Sequence, residues 1–222
     1  MLNNRTDNLW RIAAIAWGVA AVGVWAWTTS YGFTTYQPTA GVNLSSWPTG
    51  TRLTLDAERP TLVVFLHPRC PCTRASIREL ERVLTGAGLS GDQQPRVIVT
   101  ATLPADADEQ WRQTDTVRDA TALPYANVAW DVDGVEASRF GAATSGAVRL
   151  YASSGELLFA GGVTPSRGHE GDSAGRDRLL ALLRGDDTTP QPPTPVFGCR
   201  LCLPAPTADA PAGAERVAAA LN

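Results

Sequence analysis

A long apolar run near the start of the chain is the most distinct feature of its hydrophobic pattern. Residues 9–27 contain one charged side chain, Arg11, and tryptophans stand near both ends of the run. A helix of this length rises about 28 Å, close to the roughly 30 Å hydrocarbon core of a bilayer, and tryptophan is enriched at both interfaces. The pattern predicts a transmembrane helix within a segment formed by residues 1–28.

The charges around this run predict its orientation. Arg5 and Arg11 stand at its start, and the next basic residue is Arg52. By the positive-inside rule the N-terminus stays in the cytoplasm and the rest of the chain is exported. A cleaved signal peptide is the alternative, but residues 25–27, Trp-Ala-Trp, make a poor cleavage site. We expect a single-pass protein of the bacterial inner membrane with its soluble domain in the periplasm, where disulfides persist.

Beyond a polar connector at residues 29–40, short apolar runs alternate with stretches of helical pattern. Strands are predicted at residues 61–66, 96–102, 127–132, 147–152 and 156–160, and helices at residues 72–84, 105–120, a few residues up to 140, and 174–184. This alternation is typical of an α/β domain, which we place at residues 41–185. The composition then becomes rich in proline and alanine, which predicts an extended tail over residues 186–222.

Composition and charge exclude one class of partner. The 222 residues carry 19 basic and 22 acidic side chains, which gives a formal net charge of -3. A nucleic-acid-binding domain would show a basic stripe and a high pI, so no nucleic acid partner is expected. The length suits one domain with attachments.

The clearest chemistry lies where the first predicted strand ends. Residues 61–66 run through His67 into Cys70-Pro71-Cys72 and then into a helix. Both thiols therefore stand at a helix N-terminus, whose partial positive charge stabilises a thiolate, the reactive form of cysteine. We expect a redox-active or metal-binding pair, against the alternative of two structural cysteines.

The order of these elements resembles the thioredoxin-like fold over roughly residues 55–185. A narrower similarity, to the RedB-type membrane-anchored redoxins, is carried by residues 144–146 (Thr-Ser-Gly), 161–164 (Gly-Gly-Val-Thr), 166–172 (Ser-Arg-Gly-His-Glu-Gly-Asp) and 194–199 (Thr-Pro-Val-Phe-Gly-Cys). The resemblance implies a three-layer α/β sandwich with a mixed sheet, preceded by one transmembrane helix and followed by the proline-rich tail.

The resemblance also implies where substrates are positioned. Gly146, after Ser145, stands where the thioredoxin-like family has a cis-proline that faces the two cysteines. This departure weakens the expectation of ordinary thioredoxin activity and makes metal capture easier. Pro71, Ser145 and Gly146 are the residues expected to position a substrate.

In a thioredoxin-like sheet, the segment after the hairpin returns to the edge that carries the cysteines. Residues 161–171 should therefore bring Arg167, His169 and Glu170 towards Cys70 and Cys72. Arg167 would help to position a substrate. A histidine near two cysteines can act as a base, stabilise a thiolate or ligate a metal.

Cys199 and Cys202 form a Cys-x-x-Cys in the tail, and this second thiol pair has several interpretations. A local disulfide, a second redox pair and further metal ligands all stay open, although Cys-x-Cys is not the usual spacing of a zinc site. Residues 186–195 could span roughly 30 Å if extended. We predict that Val196 and Phe197 pack on the domain and hold Cys199 near Cys70, as a resolving thiol or a further ligand.

Three functions remain open at this point. The first is a membrane-anchored thiol-disulfide oxidoreductase in which Cys70 attacks, Cys72 resolves and His169 assists proton transfer. It would need no cofactor and would act on exported thiol proteins or a membrane redox complex. The second is a Cu(I) chaperone or assembly factor that uses Cys70, Cys72 and His169 as ligands. The third is a non-catalytic subunit of a membrane complex.

Overall fold

The computed structural model describes residues 3–35, 45–186, 189 and 191–202. The chain divides into two compact units with a boundary between Thr34 and Thr35, inside the predicted connector. The predicted end of the connector at residue 40 and the tail beyond residue 202 lie outside the described residues.

The first unit consists of one long helix, α1 (Asn3–Gly32). Its residues Asp7–Gly32 are long and apolar enough to cross a membrane, and an 18-residue stretch within them has a mean hydropathy of 1.6. Such a helix spans about 39 Å at 1.5 Å per residue, more than the roughly 30 Å hydrocarbon core. Its large apolar side chains are exposed, Trp10 by 76% and Trp25 by 69%. The prediction of one N-terminal apolar helix is confirmed.

A mixed five-stranded sheet forms the centre of the second unit. Its strands are β1 (Thr61–Leu66), β2 (Arg96–Leu103), β3 (Ala126–Val132), β4 (Ala147–Tyr151) and β5 (Leu157–Gly161). The strand order is β3-β2-β1-β4-β5, in which β1, β2 and β3 are parallel while β4 pairs antiparallel with both β1 and β5. This is the thioredoxin-like topology, and the predicted fold class is confirmed.

Helices and loops cover both faces of this sheet. The helices are α2 (Thr73–Gly86), α3 (Asp115–Thr121), α4 (Val135–Arg139) and α5 (Ala174–Arg184). Leu62 and Val64 of β1 pack with side chains of α2, α3 and α5. Val63 and Phe65 point to the other face, where Phe140 at the end of α4 joins them. Because β1 is buried on both sides, its sequence is a continuous apolar run rather than an alternating one.

The long helix predicted at residues 105–120 is wrong. The structure has a single 3-10 turn, Glu109–Trp111, and then α3, which begins only at Asp115. The hydroxyl of Thr114 accepts a hydrogen bond from the Val117 N–H and so caps α3. A capping residue has extended backbone, so the helix cannot continue through it towards residue 105. The residues before it form a loop on the side of the cysteines.

Candidate functional site

Cys70 and Cys72 lie in a tight turn between β1 and α2. The N–H of Cys70 donates to the carbonyl of His67 at 3.0 Å, and the N–H of Thr73 donates to the carbonyl of Cys70 at 3.2 Å. Cys72 is the N-cap residue of α2. Cys70 is fully buried, Cys72 is half-buried and Pro71 is exposed. The predicted position of both thiols at a helix N-terminus is confirmed.

A third thiol joins this pair. The sulfur atoms of Cys70, Cys72 and Cys199 all lie within 4.8 Å of one another. Cys202 is outside this group, and burial together with the nearby Asp133 raises its pKa. All four cysteines are free thiols, so the structure does not pair Cys199 with Cys202. The arrangement is therefore a three-thiol cluster rather than two separate pairs.

The tail delivers Cys199 by pairing with the segment that precedes β4. The N–H of Ser145 donates to the carbonyl of Cys199, and the N–H of Leu201 donates to the carbonyl of Ala143, both at 2.9 Å. The antiparallel bridge between residues 144 and 200 lies between these two bonds. The predicted return of the tail to Cys70 is confirmed.

Side-chain packing fixes the tail in this position. Val196 packs against the cluster of Val63 and Phe65, as predicted, and Leu201 is only 4% exposed. A side chain at Gly162 would place its Cβ 2.6 Å from the carbonyl oxygen of Pro195. Glycine at position 162 therefore leaves the space that the tail backbone occupies at Pro195.

A chain of buried hydroxyl groups leads to the sulfur of Cys70. The backbone N–H of His67 donates to Ser145 Oγ at 2.8 Å, and Ser145 Oγ lies 2.6 Å from Thr73 Oγ1. Hydrogen bonding from the Thr73 hydroxyl lowers the pKa of Cys70. Either hydroxyl can donate in the bond between Ser145 and Thr73; when Thr73 donates to the Cys70 sulfur, Ser145 donates to Thr73. A donor aimed at sulfur favours the thiolate over the thiol.

Cys70 is the first of the three thiols to ionise. Burial opposes its ionisation, but hydrogen bonds from Cys199 and Thr73 outweigh burial and hold the pKa of Cys70 below its usual value. Burial and the charge of Cys70 raise the pKa of Cys72, while Arg167 opposes the rise. Burial and the bond to Cys70 raise the pKa of Cys199 to about 12. The pKa of Cys70 is thus lowered beside two thiols whose pKa values are raised.

Residues 161–171 return to the cysteines, as predicted from the topology. Arg167 is 6% exposed, and its charge lowers the pKa of both Cys72 and Cys199. A Cβ at Gly168 would lie 3.6 Å from the Cys72 sulfur. His169 is exposed, its Nδ1 lies 2.8 Å from the carbonyl oxygen of Arg167, and it is not part of the three-sulfur group. A role for His169 in proton transfer stays a prediction.

Glu79 of α2 anchors this returning segment. Its carboxylate is fully buried, accepts the N–H of Gly171 at 2.8 Å and pairs with Arg82. Arg82 also contacts Glu170 at 2.6 Å, so the segment is attached to α2 at two neighbouring points. Sequence reasoning missed both Glu79 and Thr73. Two signals were available in the sequence. Glu79 is an acid on the buried face of α2, and Thr73 directly follows the cysteine motif.

Gly146 stands in a backbone position that glycine fits and proline does not. Its N–H donates to the carbonyl of Phe65 at 2.8 Å, a bond that proline cannot make. Its φ of 93 and a Cβ position 2.7 Å from Ser76 Oγ both favour glycine. Because the backbone at Gly146 lies close to Ser76 of α2, the neighbouring Ser145 can contact Thr73 at the start of that helix.

An aromatic and cationic surface flanks the cysteine turn. The Trp111 ring lies 5.4 Å from the His67 ring, edge to face, and the Arg69 guanidinium lies 3.9 Å above Trp111. Burial and the charge of Arg69 lower the pKa of His67, which favours a neutral imidazole. Trp111 belongs to the segment where the long helix was predicted, and it packs against the turn that carries the cysteines.

Comparisons with known proteins find the same fold in solved structures. No family model matches the chain, and no curated protein matches it. Among solved structures, a hypothetical protein from Sinorhizobium meliloti is 20% identical, with a TM-score of 0.51 over 78% of this chain and 98% of the other. An uncharacterized conserved protein from Geobacillus kaustophilus is 17% identical, with a TM-score of 0.51 over 80% and 96%.

A further match is to a protein of described activity. It is a secreted Mycobacterium tuberculosis disulfide oxidoreductase homologous to E. coli DsbE, 16% identical over 64% of this chain and 94% of the other, with a TM-score of 0.39.

Proposed function

We propose that this protein is a membrane-anchored thiol-disulfide oxidoreductase whose nucleophile is Cys70. One observation carries the proposal: at a strand-to-helix turn the sulfurs of Cys70 and Cys72 lie within 4.8 Å of each other and of Cys199. Hydrogen bonding from Cys199 and Thr73 lowers the pKa of Cys70 in this group. A stabilised thiolate next to a protonated thiol is the arrangement that disulfide exchange requires.

The exchange has two steps. The Cys70 thiolate attacks one sulfur of a substrate disulfide, which forms a mixed disulfide and releases the other substrate sulfur as a thiolate. Cys72 then loses its proton and attacks the Cys70 sulfur, which frees the substrate and leaves a Cys70–Cys72 disulfide. Arg167 lowers the pKa of Cys72 and so assists the second step. His169, on the exposed side of Arg167, is the proposed proton acceptor. The reverse sequence oxidises a dithiol substrate.

The proposed location follows from the long apolar helix and the charges before it. Arg5 and Arg11 precede or begin the span, which supports a cytoplasmic N-terminus and a periplasmic domain. The partners would be exported thiol proteins or a membrane redox complex. Alkaline phosphatase, which is active only after export, should be active when fused behind residue 60. An inactive fusion, with a cytoplasmic reporter active at the same point, would reverse this topology.

Disulfide exchange with a small peptide disulfide tests the activity on the full chain in detergent. We expect Cys70→Ser to remove exchange completely, and the double variant Cys72→Ser with Cys199→Ser to stop the reaction at the mixed disulfide. Cys202→Ser is the matched control, because Cys202 lies outside the cluster, and it should leave the rate unchanged. Exchange that survives Cys70→Ser at the rate of the unaltered protein would refute the proposal.

The three-sulfur group supports a second candidate, a Cu(I) carrier. Thiolates select soft metals, and three sulfurs within 4.8 Å of one another suit a three-coordinate ion. The structure offers Cys199 as the third ligand in the place that the sequence assigned to His169. Cu(I) titration decides between them. Under this candidate one ion binds, Cys199→Ser weakens binding and His169→Ala does not; failure of the unaltered protein to bind Cu(I) would remove the candidate.

A further inference from the structure

We propose that residues 198–201 occupy the place where an extended, cysteine-bearing segment of a substrate protein binds, and that Cys199 is a third redox thiol that exchanges with Cys70. The inference rests on the proposed function and deepens it. It names a class of substrate, an extended peptide, and it gives the tail a role as a built-in ligand.

The backbone contacts of the tail are those of an added strand. Two hydrogen bonds, one at Ser145 and one at Ala143, join the segment before β4 to Cys199 and Leu201. Adding an extended peptide to an exposed backbone edge is a general mode of peptide recognition, because main-chain bonds give affinity whatever the sequence. Any other extended peptide could use the same two backbone groups once the tail has left.

The thiol of the tail stands where a substrate thiol has to stand. The Cys199 sulfur lies within 4.8 Å of the Cys70 sulfur, and Cys70 is fully buried in this arrangement. A substrate disulfide cannot reach a sulfur with no exposed surface. Access to Cys70 therefore requires residues 198–201 to leave, and the group that enters takes the place of Cys199.

The contacts that hold the tail predict the sequence preference of the site. In an extended strand, residues two apart point to the same side, so Cys199 and Leu201 share one side. Leu201 is 4% exposed, and Val196 packs against the same apolar cluster. Arg200, between them, is exposed. The site should prefer substrates with an apolar residue two positions after the cysteine.

The exchange between the tail and the pair needs no external oxidant. Starting from a Cys70–Cys72 disulfide, the Cys199 thiolate attacks the sulfur of Cys70. The bond between Cys199 and Cys70 forms, the bond between Cys70 and Cys72 breaks, and the electron pair leaves on Cys72, which takes up the proton that Cys199 gave to solvent. The number of disulfides is unchanged, and the half-buried Cys72 becomes free to react.

Disulfide mapping on the full chain tests the third thiol. Cys72→Ser protein is equilibrated with oxidised glutathione, quenched with acid, alkylated and mapped by mass spectrometry. We expect a Cys70–Cys199 bridge, and the same bridge when Cys202→Ser is added as the control. Glutathione on Cys70 with Cys199 reduced, or a Cys199–Cys202 bridge alone, would overturn the inference. If the unaltered protein still cycled its Cys70–Cys72 disulfide, the proposed function would stand.

A peptide-capture experiment tests the site itself. A Cβ at Gly198 would run into the Ser145 carbonyl, so Gly198→Ala should displace the tail, whereas Gly86→Ala, in open space at the end of α2, is the control. A synthetic peptide with the sequence of residues 194–201, activated as a disulfide, should react with Cys70 roughly tenfold faster in the Gly198→Ala protein.

The same peptide with its leucine replaced by aspartate should lose most of that gain. Equal rates for the unaltered, Gly198→Ala and Gly86→Ala proteins would overturn the inference. If Cys70 formed no disulfide with any peptide, in any variant, the proposed function would fail as well.

Discussion

Replacing Thr73 by valine should make Cys70 a weaker nucleophile without changing the cysteines. The side chain is 1% exposed, and its hydroxyl links Ser145 Oγ, 2.6 Å away, to the Cys70 sulfur. Valine has the same shape but no donor, so the thiolate loses one hydrogen bond while the packing is kept. The helix position stays filled by a β-branched residue.

The size of the effect follows from the charge on the acceptor. A hydrogen bond to an ionised group contributes about 1.5–3 kcal/mol, and 1.36 kcal/mol corresponds to a tenfold change, so the thiolate fraction at a fixed pH below the pKa should fall roughly 10- to 100-fold. The pKa of Cys70 rises accordingly. Because the buried Ser145 hydroxyl also loses its hydrogen-bond partner, the free energy of unfolding should fall by about 1–2 kcal/mol.

The assay is the pH dependence of Cys70 alkylation, followed by mass spectrometry of the Cys70 peptide in the full chain. Thr85→Val is the matched control, because Thr85 lies in the same helix and donates only to the carbonyls of Glu81 and Arg82. Unfolding curves on both variants separate lost stability from lost ionisation. An unchanged alkylation profile in Thr73→Val would refute the role of the hydroxyl chain.

Three further predictions concern the frame of the site. Gly146→Ala should lower the free energy of unfolding by about 2–5 kcal/mol, because alanine is strained at this positive φ and its Cβ would overpack against α2. The control is Gly50→Ala, whose φ is 73 but whose Cβ would meet open space, so it should lose only about 1–2 kcal/mol in the same denaturant titration. Glu79→Gln should cost about 1–3 kcal/mol, because the buried carboxylate holds Gly171 and Arg82, while exposed Glu81→Gln on the same helix should be neutral by thermal unfolding. Arg167→Gln should raise the pKa of Cys72, and the alkylation rate of Cys72 at neutral pH should fall roughly three- to tenfold; an unchanged rate would show that Arg167 does not act on the thiol.

Local sequence signals were sufficient for the elements that depend on local physics. β1 is a short apolar run between polar turns, and its bounds agree with the prediction. The last helix, α5, ends at Gly185 with φ 75, as its glycine predicts. The prediction of a helix at residues 105–120 was wrong because the composition of this segment is compatible with a helix throughout. The N-cap at Thr114, which sets where α3 begins, does not stand out from that composition.

The site was predicted only as far as topology and the motif allow. The cysteine turn and the return of Arg167 follow from the strand order, and the reach of an extended tail places Cys199 near Cys70. The role of Ser145 could not be predicted, because its partners His67 and Thr73 are 78 and 72 residues away in sequence. Such contacts exist only after the chain has folded.

Redox equilibration of the full chain tests the central claim most directly. The protein is equilibrated in glutathione buffers from fully reducing to fully oxidising, trapped with acid and alkylated, and each cysteine is scored by mass spectrometry. The account predicts that Cys70 and Cys72 lose their thiols together in one reversible two-electron transition, and that Cys70→Ser abolishes it. Cys70 and Cys72 that remain reduced at every ratio, or that react with glutathione independently, would contradict a dithiol oxidoreductase.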